Sequence, residues 1–251
     1  MKKKLTPKYV LKLLSIIITT FVILSTVGKG LQLYIDNKLI RFFVKLFYLD
    51  NEMAIPTFYS ACALMISALI LLVIGFKKKE MGNKHLSWIG LGLVFMFLSF
   101  DEICVIHEHL SGMVQNSFKT TGFLYYGWVI PYGILILFLG ITYFRFVMDL
   151  PSKVRFYIIL SGAIFLMGAV GIEMVTAKID YLQGEENWAY IILMTIEEAM
   201  EMFGIALFIY TLFLYINIEF GALKITVKGK KSLKDAKGIH PQDQFNSINT
   251  L

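Results

Sequence analysis

Charge is what this sequence has little of: 17% of its 251 residues are Asp, Glu, Lys or Arg, against 57% hydrophobic. A soluble domain carries roughly a quarter charged and about half apolar residues, so a water-soluble globule is excluded as the organising form. Cysteine is scarce too. Cys62 and Cys104 both lie inside apolar stretches, which excludes a disulfide framework and leaves two small packing residues. There is no internal repeat and no soluble domain. The motifs that announce a bound metal are also missing, with no HExxH, no Glu-x-x-His pair and no Cys/His finger spacing. The net charge of +6 does not point to nucleic acid, because the basic residues gather at the ends of apolar blocks as membrane flanks do.

What the chain has in abundance is apolar length. Blocks run over 10–30, 56–76, 87–110, 122–146, 155–178 and 188–216. About twenty residues suffice for a helix to cross a hydrocarbon core roughly 30 Å thick. These blocks predict an all-α, polytopic membrane bundle with six transmembrane helices over residues 1–218. The last block is long enough to tilt. Lys2, Lys3 and Lys4 before the first block imitate a secretory signal, but no clean small-x-small cleavage site follows. The first block is therefore read as an uncleaved span. Residues 219–251 are polar and Lys-rich, and are expected to form a disordered basic tail against the anionic inner leaflet.

Lys and Arg choose the orientation. Six spans put both termini, the loop with Lys77, Lys78, Lys79 and Lys84, and the loop with Arg145, Lys153 and Arg155 on one side. That side holds 18 of the 24 basic residues, and the other holds Lys29, Lys38, Arg41, Lys45, Lys119 and Lys178. The richer side is expected to be cytoplasmic, in a multi-pass protein of the cell membrane. Between Asp36 and Tyr48, Leu39, Phe42, Phe43, Leu46 and Phe47 recur at helical spacing opposite Lys38, Arg41 and Lys45. This predicts an interfacial amphipathic helix on the outer leaflet, or a short helix packed over the bundle.

Ionisable residues inside spans each cost several kcal/mol to hold without compensation, ~3 on insertion scales. The first two spans have no interior acid. The third contains Asp101, Glu102, His107, Glu108 and His109, the fifth Glu173, and the sixth Glu197, Glu198 and Glu201. At 1.5 Å per residue, all fall within roughly one 15 Å layer of the outer half. On a continuous third helix Asp101 lies over Glu108, and Glu102 over His109, on one face of about 120°, with His107 turned away. Glu197, Glu198 and Glu201 share an arc of about 100°. Gly204 lies one turn below them and is expected to admit a close neighbour. Seven carboxylates with no Lys or Arg at their depth need protons, cations or a water-filled cavity. Tyr126 and Tyr132 are candidates to line that cavity, while Tyr125, Trp128, Tyr59, Ser60 and Cys62 reach the same level. Pro131 is expected to kink the fourth span.

The string Phe97-Leu98-Ser99-Phe100-Asp101-Glu102 leading to His107-Glu108, with Glu197-Glu198-Ala199-Met200-Glu201, resembles a signature of uncharacterised bacterial multi-span membrane proteins. The resemblance covers spans three to six and implies no activity. Glutamate-rich intramembrane proteases of the CAAX-processing type carry Glu-Glu followed by three residues and Arg, where this chain has Met202. Ceramidase-like hydrolases hold zinc with Ser, Asp and His, to which Ser99, Asp101 and His109 are similar in type. Their late paired histidines are missing here.

The functional expectation is a membrane-embedded, metal-dependent enzyme of hydrolase or oxidase type. Its substrate would be a lipid or another hydrophobic small molecule, and its partner the membrane lipid rather than nucleic acid. Asp101, Glu102 and Glu198 are the catalytic candidates. Glu102, Glu108, His109, Glu173, Glu197 and Glu201 are the candidate ligands for a divalent zinc, iron or manganese ion. The alternatives are a proton- or divalent-cation-handling transporter and a non-catalytic immunity or sensing protein.

Overall fold

In the computed structural model, residues 6–221 are described. Nine α-helices are found among them, with no strand. They are α1 (Pro7–Gln32), α2 (Lys38–Phe47), α3 (Ile55–Glu80), α4 (Leu86–Cys104), α5 (Ile106–Phe118), α6 (Val129–Met148), α7 (Ser152–Leu166), α8 (Glu173–Gln183) and α9 (Trp188–Glu219). A 3-10 turn covers Gly122–Leu124, and a π-helical segment, Met167–Ile172, joins α7 to α8 in one continuous run. Six spans, α1, α3, α4, α6, α7–α8 and α9, are long and apolar enough to cross a membrane. The basic tail falls almost wholly outside the described residues.

Two expected boundaries moved. The third block does not continue to 110, because α4 ends at Cys104 and Val105 adopts φ 55° and ψ 40° before α5 begins. The fourth span begins at Val129, not 122, since Gly122 has φ 61° and the chain turns there. Pro131 lies in the first turn of α6, where the backbone N–H has no partner inside the helix to lose. The helix runs on through it unbroken to Met148, so the expected kink is absent.

α9 is the axis of the bundle. Met194, Met202, Ile205, Ile209 and Leu212 along it are buried, and α1, α3, α7 and α8 pack against it. Its start is capped by Asn187, whose side-chain oxygen accepts the Tyr190 N–H at 2.9 Å. Close approach to α7–α8 depends on two glycines. A Cβ on Gly204 would meet the Phe165 backbone at 2.9 Å, and one on Gly168 would meet the Glu197 carbonyl oxygen at 2.8 Å. The small residue expected at 204 does admit a neighbour. α4 is tied to α3 by Ser99, whose hydroxyl donates to the Ala61 carbonyl at 2.8 Å. α6 is the least buried span.

Successive spans alternate in direction. The connections at 33–54, 105–128 and 184–187 therefore meet at one end of the bundle, hereafter the α2 end. α2 is capped by Asn37 and turns Val44 into the core. Phe43 and Val44 lie against Gly28 of α1, so the helix packs over the bundle. Leu39 and Phe42 remain exposed at 77% and 63%, which leaves an apolar edge beside Lys38, Arg41 and Lys45.

Candidate functional site

A cavity of about 510 Å³ opens at the α2 end. Its deep wall is built from spans: Glu102 of α4, Glu173 at the start of α8, and Glu197, Glu198 and Glu201 of α9. Positions i, i+1 and i+4 fall on one side of a helix. Accordingly, the three α9 glutamates each bring a carboxylate oxygen within 4.8 Å of the others. Among the described residues, no lysine or arginine lines the cavity.

Glu173 faces this cavity from an α8 that begins where the π-helical segment ends. A π turn takes more residues than an α turn and so rotates whatever follows it; such turns recur at functional sites. Gly168 in the same segment brings the chain against the Glu197 carbonyl. Glu173 then accepts the Trp128 indole N–H at 2.7 Å, and Glu197 accepts the Thr176 hydroxyl at 2.8 Å. Both glutamates are buried, at 9% and 7% exposure. Each has one oxygen held by a neutral donor, and the other accepts no hydrogen bond from the described residues.

The α4–α5 break reorganises the histidines. Asp101 does not line the cavity. It is 6% exposed, and both of its oxygens are spent on His107. The His107 backbone N–H donates to Oδ1 at 2.9 Å, and Oδ2 lies 3.3 Å from Nδ1 of its ring. His107, expected to turn away on a continuous helix, instead lines the cavity, with its ring edge-on to Trp128 at 5.5 Å between centroids. His109 is exposed and stands outside the lining. Its Nδ1 lies 2.7 Å from the Val105 carbonyl oxygen. The left-handed Val105 restarts the helical phase, so the heptad superposition expected for 101/108 and 102/109 does not apply. Glu108 reaches the cavity from α5.

Three further acids come from connections. Asp50 and Glu52 of the α2–α3 loop and Glu185 of the α8–α9 loop line the cavity, which has nine carboxylates among the described residues. Sequence reasoning passed them over because an acid beside a span is ordinarily solvated. The only available signal was the shortness of those loops. Asp50 is drawn in because the Leu49 N–H donates to Ser25 Oγ of α1 at 3.1 Å. The Tyr190 hydroxyl donates to Asp50 at 3.1 and 3.3 Å. Burial, and then the charge of Glu185, push the Asp50 carboxyl up to about 7, although the Tyr190 bond and Lys29 work the other way. Tyr126 lines the cavity and its hydroxyl donates to Asp180 at 3.0 Å. Tyr132 packs edge-on to Trp128 behind the wall. Tyr125, Tyr59, Ser60 and Cys62 are not among the lining residues.

Chemically, the cavity gathers hard oxygen donors and one imidazole, with neutral hydrogen-bond donors behind two of the acids. Comparison with known proteins adds a family. A family model described as Domain of unknown function (DUF8692) matches residues 13–216, nearly all of the helical bundle. No curated protein and no solved structure matches the chain.

Proposed function

This chain belongs to the DUF8692 family, and from that premise we propose that it is a membrane-embedded, metal-dependent enzyme acting on a hydrophobic or lipid substrate. The observation that carries the reading is the α9 triad, Glu197, Glu198 and Glu201, with oxygens within 4.8 Å of one another in a cavity that no lysine or arginine among the described residues lines. Carboxylates that close in a low-dielectric setting repel one another unless protons or cations neutralise them. Carboxylate-rich helical bundles hold divalent metals with inward-facing Glu and His from several helices. Within that reading, Glu197, Glu198 and Glu201 would hold a zinc, iron or manganese ion, and Glu102 and Glu173, which line the same cavity, would be the acid and base groups beside it. A divalent metal there supplies Lewis acidity and a water of lowered pKa.

The location supports a substrate that arrives from the bilayer. The cavity opens at the α2 end, the end that carries the exposed apolar edge of α2, Leu39 and Phe42. The same geometry speaks against a conduit. One turn beyond Glu201 the buried side of α9 becomes mainly apolar, with Ile205, Phe208, Ile209 and Leu212; Phe95 stacks on Phe208 at 4.5 Å, and the buried Thr211 hydroxyl is taken up by the Leu207 carbonyl. A hydrated path needs polar groups there.

Metal content of the purified full-length protein is the test. At least one zinc, iron or manganese ion per chain is expected, and Glu197→Gln with Glu201→Gln should remove it while the protein still unfolds cooperatively. A folded wild-type protein that carries no such ion, and takes none up on titration, would overturn the proposal.

A further inference from the structure

Among the described residues, only two that are not glycine have positive φ, Val105 at 55° and Lys119 at 50°, and they stand at the two ends of α5. A β-branched residue in that region is a genuine outlier. Strain of this kind persists where surrounding structure over-determines it, and it clusters at switch regions. The helix between the two has opposite faces of opposite character. Glu108, Ser111, Gly112 and Gln115 line the cavity. On the far side Ile106, Leu110 and Met113 recur at i, i+4 and i+7, a spacing that makes one stripe. Ile106 is 38% and Met113 59% exposed. Nineteen residues make α4 about 28 Å long, close to the hydrocarbon thickness of roughly 30 Å. α5 therefore begins where the hydrocarbon ends, and its apolar stripe faces lipid.

Few groups hold the helix in place. The Asp101 carboxylate accepts the His107 backbone N–H at 2.9 Å, which pins the Val105 end. Near the other end the Gln115 side-chain amide donates to the Tyr125 carbonyl. Between them Val114 rests on Gly127, where a Cβ would meet it at 2.8 Å. A Cβ on Gly112 would meet nothing within 4 Å. We propose that α5 is a lateral door between the bilayer and the cavity, swinging on Val105 and Lys119 with Gln115 as its latch, and that it admits a ligand carrying a hydrocarbon chain. The inference rests on the reading above for the hydrophobic substrate and adds the route by which it arrives. Hinges of this kind are a few residues at element ends that absorb the backbone change.

The experiment places the full-length protein in nanodiscs of phosphatidylcholine with brominated acyl chains, which quench tryptophan. Trp128 is buried and lines the cavity, and Trp88→Phe with Trp188→Phe leaves it the sole reporter. Val114→Cys with Gly127→Cys, in a background lacking Cys62 and Cys104, locks the door. The Val114 Cβ lies 2.9 Å from an ideal Cβ at 127, near the ~3.8 Å of a disulfide. Trp128 emission should be quenched in the reduced protein, recover on oxidation, and be lost again on reduction. A second measurement needs no tryptophan change: nitroxides at Asn116 and Ala189, read by double electron–electron resonance. Two separations are expected, with the larger share moving to the open one in Gln115→Ala. Quenching that ignores the cross-link, or a single separation unchanged by Gln115→Ala, would overturn the door. Neither measurement depends on a metal, so a door that moves in a protein taking up no zinc, iron or manganese would stand while the enzyme reading fell.

Discussion

At the scale of single residues, two acids of the site are buried and each is held by one neutral donor. Glu173 is held by Trp128 and Glu197 by Thr176. Removing a neutral donor leaves a buried oxygen unsatisfied, at a cost of about 1–3 kcal/mol. Trp128→Phe and Thr176→Val should therefore each lower the thermal unfolding midpoint, and the Trp128 change should additionally loosen His107. Differential scanning fluorimetry of the detergent-solubilised variants checks this. A variant as stable as wild type would show that the bond contributes nothing.

Asp50 gives the pH dependence. Its carboxyl is raised from an ordinary 3.8 to about 7 by burial and Glu185. The folded protein therefore holds this proton more tightly than the unfolded chain does. The stability it lends is complete below about pH 4, and is lost as pH rises towards and through 7. Asp50→Asn can still accept from Tyr190 but cannot ionise. Its melting temperature should match wild type near pH 4 and exceed it increasingly up to pH 8, where the difference levels off. A difference that is constant across that range would refute the assignment.

At the scale of elements, two irregularities do the positioning: the left-handed Val105 between α4 and α5, and the π-helical segment ahead of Glu173. Both were illegible in the sequence. Val is β-branched and resists a positive φ, so nothing at 105 announced a break, and the third block read as one helix to 110. The consequence fell on particular residues, with His107 brought to the cavity and His109 left outside it. Deleting Ala169 should convert the π turn to an ordinary one and swing Glu173 by about 100°. Membrane insertion should survive, while the Trp128 environment changes, as read by its fluorescence.

The α7–α9 contact was partly legible. Gly204 stood out as a small residue one turn below the α9 acids, and it does meet the Phe165 backbone. Gly204→Val should cost about 1–3 kcal/mol through overpacking, visible as a lowered melting temperature. Gly133 and Gly140 of α6, which face open space, are the controls for the same change.

At the scale of the whole molecule, the charge asymmetry predicts an external α2 end and cytoplasmic connections at 81–85 and 149–151. Single cysteines placed at Glu186 and at Gly82, in a background lacking Cys62 and Cys104, test it. In intact cells a membrane-impermeant maleimide should label position 186 and spare position 82. The reverse pattern would invert the topology and place the cavity on the cytoplasmic face.

What the sequence determined by itself was the all-α class, the six spans and the level at which acids gather. Those follow from composition and from a rise per residue that any helix obeys. Glu102, Glu173, Glu197, Glu198 and Glu201 were found in this way and do share one cavity. Only the tertiary structure decided which way each side chain turns. Rotation about a helix axis accumulates from every local irregularity, so one left-handed residue or one widened turn redirects all that follow it. Only the fold, too, could bring in Asp50, Glu52 and Glu185. A loop acid becomes a cavity acid when contacts distant in sequence, such as Leu49 to Ser25 and Tyr190 to Asp50, draw the loop over the bundle end.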